Sequence, residues 1–168
     1  MENIVISPVE EKDMEVIYDL YGEFAAYEKL QDYFSATLED MRRLMFEDKL
    51  LHMMKAEISG KVVGFAAYYY QLVSFPAKKV LYLEDIFVKE ECRGQGIGNL
   101  FLQKLEELAK QKDCIKMMWK CLAWNKISRD FYEHIGARLD TEWVIYEKYF
   151  GEKYSEEQPS EKECFEEI

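Results

Sequence analysis

The sequence predicts an α/β (α+β) domain built on a mixed, mostly antiparallel central sheet flanked by helices. Three observations predict it. Leu50–Ile58 and Lys61–Tyr70 are apolar, aromatic and β-branched runs joined by Ser59-Gly60, a hairpin signal. Residues 80–112, VLYLEDIFVKEECRGQGIGNLFLQKLEELAKQK, read as strand, glycine-rich turn and amphipathic helix. A further strand, helix and strand follow, so helices and strands alternate through the second half.

In chain order, Asn3–Ser7 alternates as a short first strand, and Ser7-Pro8 with a cluster of acids opens a helix over about residues 10–29. Met14, Ile17, Tyr18, Tyr21 and Ala25 form its apolar face at three- and four-residue spacing. Glu28, next to Tyr27, lies one further step of three along that face, where a carboxylate is unexpected; an acid in solvent at a helix end is the plain alternative. Thr37 is placed to cap a second helix that runs to about Glu47, with Asp40 in the capping-box position and Leu38, Met41, Leu44 and Met45 inward. Gln71–Lys79, which contains Pro76, reads as a loop. Val80–Val88 is an interior strand whose charged residues are Glu84 and Asp85. Cys114–Leu122 is a strand, Asn125 to Ile135 a helix stopped by Gly136 with Ile127, Phe131 and Ile135 as its core stripe, and Thr141–Tyr149 a last strand. Residues 1–150 are expected to be one domain, and residues 151–168, with seven acids and two lysines, an acidic tail.

A chain of 168 residues, 49% hydrophobic, can bury one sizeable core. Its 22 Lys and Arg stand against 33 Asp and Glu, a net charge of −11, but residues 89–113 hold five of each sign. The negative charge therefore lies outside the glycine-turn segment, which leaves room for an anionic ligand there while the remaining surface attracts cations. Without a basic face, nucleic acid is excluded as a partner. The four cysteines form no C-x-x-C pair and there are only two histidines, so no metal site is expected. With neither a signal segment nor an apolar run of bilayer length, the expected location is the cytoplasm, away from membranes.

Arg93-Gly94-Gln95-Gly96-Ile97-Gly98-Asn99 lets the backbone approach a ligand, with the free N–H groups of the next helix's first turn pointing at it. A pyrophosphate fits such a place. A Walker loop would need Gly-Lys-Ser/Thr, and a dinucleotide fingerprint would need Gly or Ala at Asn99; neither is present. The spacing Arg/Gln-x-x-Gly-x-Gly/Ala, met by Arg93, Gly96 and Gly98, resembles the coenzyme A pyrophosphate loop of the GNAT superfamily of N-acetyltransferases. Asn125 at a strand end, followed by a helix with Phe131-Tyr132 and closing at Gly136-Ala137, resembles that family's second motif, and the likeness extends over about residues 3–149. In detail the chain is most similar to the diamine (spermidine/spermine) and thialysine N-acetyltransferase branch.

The resemblance implies that acetyl-CoA is the cosubstrate, with Ile86, Phe87 and Val88 pairing with its arm, Arg93–Asn99 (Arg93, Gly94, Gln95, Gly96, Ile97, Gly98, Asn99) holding the pyrophosphate, and Asn125, Lys126, Ile127 and Ser128 lining its far side. It implies that Tyr132 protonates the departing thiolate, that Glu84 serves the amine directly or through water, and that Tyr27, Glu28, Glu84, Asp85 and Glu142 contact a small cationic amine. Glu84 and Asp85 are adjacent, so a regular strand would point them to opposite faces, and a bulge is needed for both to reach one cavity. The residues leave open a protein or peptide acceptor and a non-catalytic acyl-CoA-binding module. The aromatic Trp143–Phe150 run, together with the resemblance, implies a homodimer.

Overall fold

The computed structural model describes residues 3–148 and 150, which divide between Lys120 and Cys121 into two compact units. The first holds β1 (Ile4–Pro8), α1 (Met14–Glu28), α2 (Leu38–Arg42), β2 (His52–Ile58), β3 (Lys61–Val73), β4 (Lys78–Val88), α3 (Ile97–Gln111) and β5 (Cys114–Met118). The strands form one sheet in the order β1-β2-β3-β4-β5, antiparallel except for the parallel pair β4-β5.

Val63–Tyr68 of β3 and Val80–Leu83 of β4 are buried without alternation, as in a sheet covered on both faces. Helix α1 packs on β3, and its Met14, Ile17 and Leu20 join Val9, Met41, Met45, Met53, Phe65, Ala67 and Phe87 in one cluster. Helix α3 packs on β4 and β5, burying Ile97, Phe101, Leu102, Leu105 and Ala109. Those five recur at helical spacing, which is why the segment folds as an amphipathic helix. Asp13 and Lys55, both buried, form an ion pair at 2.8 Å, and the second Asp13 oxygen accepts the Glu10 N–H, which fixes the entry of α1 over β2.

Thr37 caps α2 as expected: its hydroxyl accepts the Asp40 N–H at 3.1 Å while Asp40 accepts the Thr37 N–H at 3.0 Å. That helix then widens into a π-helical turn over Arg43–Glu47, closed by Asp48 N–H to Arg43 O at 2.9 Å. The loop expected over Gln71–Lys79 is mostly strand. Pairing runs on through Gln71↔Val80 and Leu72↔Lys79 to Val73↔Lys78, and only residues 74–77 turn. Pro76 sits inside that turn, where its missing N–H disrupts no ladder.

The second unit contains α4 (Lys126–His134). Asn125 caps it, accepting the Ser128 N–H at 3.1 Å, and Gly136 ends it at φ +86°, with Ala137 N–H bonding back to Tyr132 O at 3.0 Å. Two expectations fail here. Thr141–Lys148 forms no strand, and Tyr149 lies outside the described residues. Of the expected core stripe, Ile127 is 80% exposed and Ile135 is exposed as well; among the described residues of this unit there is one helix and no strand to cover them. The acidic tail at 151–168 also lies outside the described residues.

Candidate active site

The register of β3 against β4 carries the main feature of the site. Ala67 pairs with Asp85 and Tyr68 with Leu83, so Glu84 is an extra residue in a β-bulge. The bulge required for Glu84 and Asp85 to serve one cavity is therefore present. It puts Asp85 on the face of Ala67 and hence of α1, while Glu84, exposed at the bulge, stays close enough to act on the same groups.

Asp85 accepts a 3.0 Å hydrogen bond from the Tyr21 hydroxyl. Burial raises the Asp85 carboxyl to about 6; the Tyr21 bond pulls the other way, and the Glu84 charge adds to the rise. Burial likewise raises Glu28, at the end of α1, to about 7, helped by the Asp85 charge. Tyr21 is pushed well above the ordinary phenol range by burial and then by the charges of Asp85 and Glu84, so it stays a hydrogen-bond donor. Tyr82 rises to about 12, chiefly through burial, with Glu84, Tyr69 and Asp85 contributing. Asp85 thus couples electrostatically to Glu28 on one side and Glu84 on the other, and Tyr21 and Tyr82 both lie within the field of Glu84 and Asp85. The two tyrosines were missed as site residues because each falls in an apolar pattern; a hydroxyl recurring in such a stripe was the available signal.

The edge of β4 supplies a second element. β5 pairs with β4 only as far as Tyr82↔Met118, whereas β3 pairs with it to Val88. From Leu83 to Val88, including Ile86 and Phe87, the edge of β4 toward β5 lies beyond the reach of β5's ladder. The Val88 carbonyl is taken by Arg93 and the Phe87 carbonyl is turned toward Gly64, so the backbone groups of Ile86 are the ones placed for an extended ligand. Gly64 holds the other side of this stretch close: a Cβ there would lie 2.5 Å from the Phe87 carbonyl oxygen.

The glycine turn is the third. Gly94 and Gly96 have φ +75° and +81°, and a Cβ on either would enter open space rather than protein. The N–H groups of Ile97, Gly98 and Asn99 precede the first bond of α3, which Leu100 donates to Gly96 O at 3.0 Å. Gln95, between Gly94 and Gly96, is exposed, and the backbone cradle suits a pyrophosphate. The Arg93 side chain instead donates its Nε–H to Val88 O at 3.0 Å and lies over Tyr27.

In the second unit, Asn125 is buried as the α4 cap, Lys126 pairs with Asp130, Ile127 is exposed, and Tyr132 lies against Phe131 with ring centroids 5.5 Å apart. Glu142 is exposed, its N–H bonded to Asp140 at 3.0 Å. Among the described residues no cluster of metal-ligating side chains occurs, and no helix is long and apolar enough to cross a membrane.

A bulged strand, an open strand edge and a glycine-capped helix in succession define an acyl-CoA-type transferase fold, and comparison with known proteins agrees. The profile of the "Acetyltransferase (GNAT) family" matches residues 14–137. The thialysine N-epsilon-acetyltransferase of Bos taurus is 36% identical over 151 residues, 84% of this chain and 88% of that enzyme. The Homo sapiens spermidine/spermine N(1)-acetyltransferase-like protein 1 is 36% identical over 145 residues, 82% of this chain and 21% of that protein. Among solved structures, an integron cassette protein from the mobile metagenome of V. cholerae superposes with a TM-score of 0.75 at 25% identity, covering 89% of this chain and 94% of that one. The chain belongs to the GNAT family of acetyltransferases.

Proposed function

We propose that this enzyme transfers acetyl from acetyl-CoA to a primary amine of a small cationic acceptor such as a diamine, polyamine or lysine analogue. The observation that carries this reading is the Glu28, Glu84 and Asp85 cluster beside the open edge of β4. Two of these carboxyls are held above their ordinary values, so charging all three in one place is costly unless a cation joins them. The acceptor class of the thialysine and spermidine/spermine relatives agrees with this chemistry.

In this reading Gly94–Asn99 hold the pyrophosphate through backbone N–H groups and Ile86–Val88 pair with the cofactor arm, and the family resemblance assigns Asn125–Ser128 to the cofactor as well. The acceptor ammonium binds among Tyr27, Glu28 and Asp85, and the family resemblance assigns Glu142 to the acceptor too. Glu84, exposed at the bulge, takes one proton from it through water, and the neutral nitrogen attacks the thioester carbonyl. The C–N bond forms and the C–S bond breaks; the thiolate takes a proton from Tyr132, the residue the family resemblance puts in that role. The second proton, shed by the new amide nitrogen, returns through water to Tyr132, and the proton held by Glu84 leaves to solvent. We further propose that residues 1–150 act as one domain and that the enzyme works in the cytoplasm, where the thiols of Cys92 and Cys114 stay reduced.

A panel of mono-, di- and polyamines, amino acids and peptides, read by thiol release from acetyl-CoA, tests the reading. Diamines or lysine analogues should lead; turnover confined to peptides would replace it with a protein acetyltransferase. We also propose a homodimer, because Trp143, Val144, Ile145 and Tyr146, the last 92% exposed, give an apolar run that a second copy would cover. Light scattering at micromolar concentration should give twice the 20.1 kDa chain mass, and the chain mass alone would contradict it.

A further inference from the structure

The first residue of the glycine turn points away from the turn. The Arg93 guanidinium carbon lies 4.4 Å from the centroid of the Tyr27 ring and 5.8 Å from that of Phe87, while Nε–H donates to Val88 O at 3.0 Å. These contacts tie the side chain to the end of β4 and the last turn of α1. Tyr27 is the penultimate residue of α1 and Glu28 the last. The helix closes on Lys29 in the left-handed region at φ 60°, a conformation that a non-glycine residue keeps only when its surroundings hold it. Within α1 the turn is closed by the Lys29 N–H on Ala25 O and Ala26 O; toward the end of β4, Glu23 pairs with Lys89 at 2.8 Å, Phe24 lies against Phe87, and Arg93 adds the contact at Tyr27.

We propose that Arg93 is a positioning residue for the acceptor rather than a ligand of the cofactor's phosphates: stacked on Tyr27, it holds the last turn of α1 so that Glu28 faces Asp85. This rests on the acceptor reading above and adds to it a residue outside the carboxylate cluster. The division of labour is physically sensible. The backbone N–H groups of the turn suffice for a pyrophosphate, and a planar guanidinium can stack on an aromatic ring and still donate from Nε, which an ammonium cannot do. The same contact links the turn that cradles the cofactor to the helix end that recognises the amine.

Lysine is therefore the informative substitution. A phosphate ligand that acts by charge would survive Arg93→Lys; a stacking strut would not. The experiment measures coenzyme A affinity by calorimetry, and KM and kcat for the best diamine, in wild type, Arg93→Lys, Arg93→Ala, Tyr27→Leu and the Arg93→Ala/Tyr27→Leu double variant. Circular dichroism and an unchanged urea midpoint report that each variant is folded. Both Arg93 variants and Tyr27→Leu should raise the amine KM by about three- to tenfold, the range of a partly exposed cation–π contact, with kcat and coenzyme A affinity within about twofold. The double variant should be no worse than the poorer single one, because both remove one contact. Wild-type behaviour of Arg93→Lys would overturn the inference. So would an unmoved amine KM in Arg93→Ala alongside a more than tenfold loss of coenzyme A affinity. If the wild-type enzyme turned over no amine at all, the acceptor reading would fail first and take this inference with it.

Discussion

Replacing Asp85 by Asn keeps the shape of the side chain and removes its charge, which separates what the residue costs the fold from what it gives the site. The folded carboxyl is held at about 6 against an ordinary value of 3.8. At about 1.4 kcal/mol per pKa unit this is about 3 kcal/mol of destabilisation by the ionised form. Because the folded value is raised, the penalty is absent below the unfolded pKa, grows as pH rises from about 4 to 6, and is complete above it. Asn, like the protonated acid, offers Tyr21 a neutral acceptor, and the folded value already contains the Tyr21 bond. Asp85→Asn should therefore be more stable than wild type by up to about 3 kcal/mol at pH 8, the gain fading as pH falls towards 4, while its diamine affinity falls. Urea unfolding at several pH values, paired with calorimetric titration of a diamine, measures both. A variant less stable than wild type at pH 8, or one with the same difference at every pH, would refute the reasoning.

Gly96→Val places a branched side chain at φ +81°, in space the protein leaves open for a ligand. It should weaken acetyl-CoA binding more than tenfold for a stability loss of about 1–2 kcal/mol, and an unchanged calorimetric Kd would count against the cradle. Tyr132→Phe should lower kcat by about ten- to a thousandfold with cofactor affinity kept; wild-type turnover would point to water as the acid. Gly64→Ala drives a Cβ to 2.5 Å from the Phe87 carbonyl, so it should cost about 1–3 kcal/mol in urea unfolding and displace Phe87–Val88 from the cofactor edge. Wild-type stability in that variant would show that β3 and β4 can separate without loss.

What the sequence showed and what it hid follow from the range of the forces involved. Local signals were legible: the Thr37 capping box, the Asn125 cap, the Gly136 stop and the strand, turn and helix around Arg93–Asn99 each depend on a few neighbouring residues. The need for a bulge at Glu84 was visible because adjacent carboxylates cannot share a face of a regular strand. Pairing across the sheet was less legible. Gln71, Leu72 and Val73 became strand because β4 pairs with them, although Pro76 made the segment read as loop. The Tyr21 contact with Asp85 joins residues 64 apart in the chain, and no periodicity marks it. Ile127 and Ile135 have a helical core spacing, yet spacing says only which residues share a face, not that anything lies against it.

The central claim is that Glu28, Glu84 and Asp85 together read a second positive charge on the acceptor. Its most direct test is the ratio of kcat/KM for a diamine to that for the monoamine of equal chain length, measured at low and at high salt for wild type and Glu28→Gln. The wild-type ratio should be on the order of tenfold or more at low salt, shrink as salt screens these partly exposed charges, and fall in Glu28→Gln mainly through the diamine KM. A ratio near one at low salt would contradict the claim and leave protein amines or uncharged small amines as the acceptors to pursue.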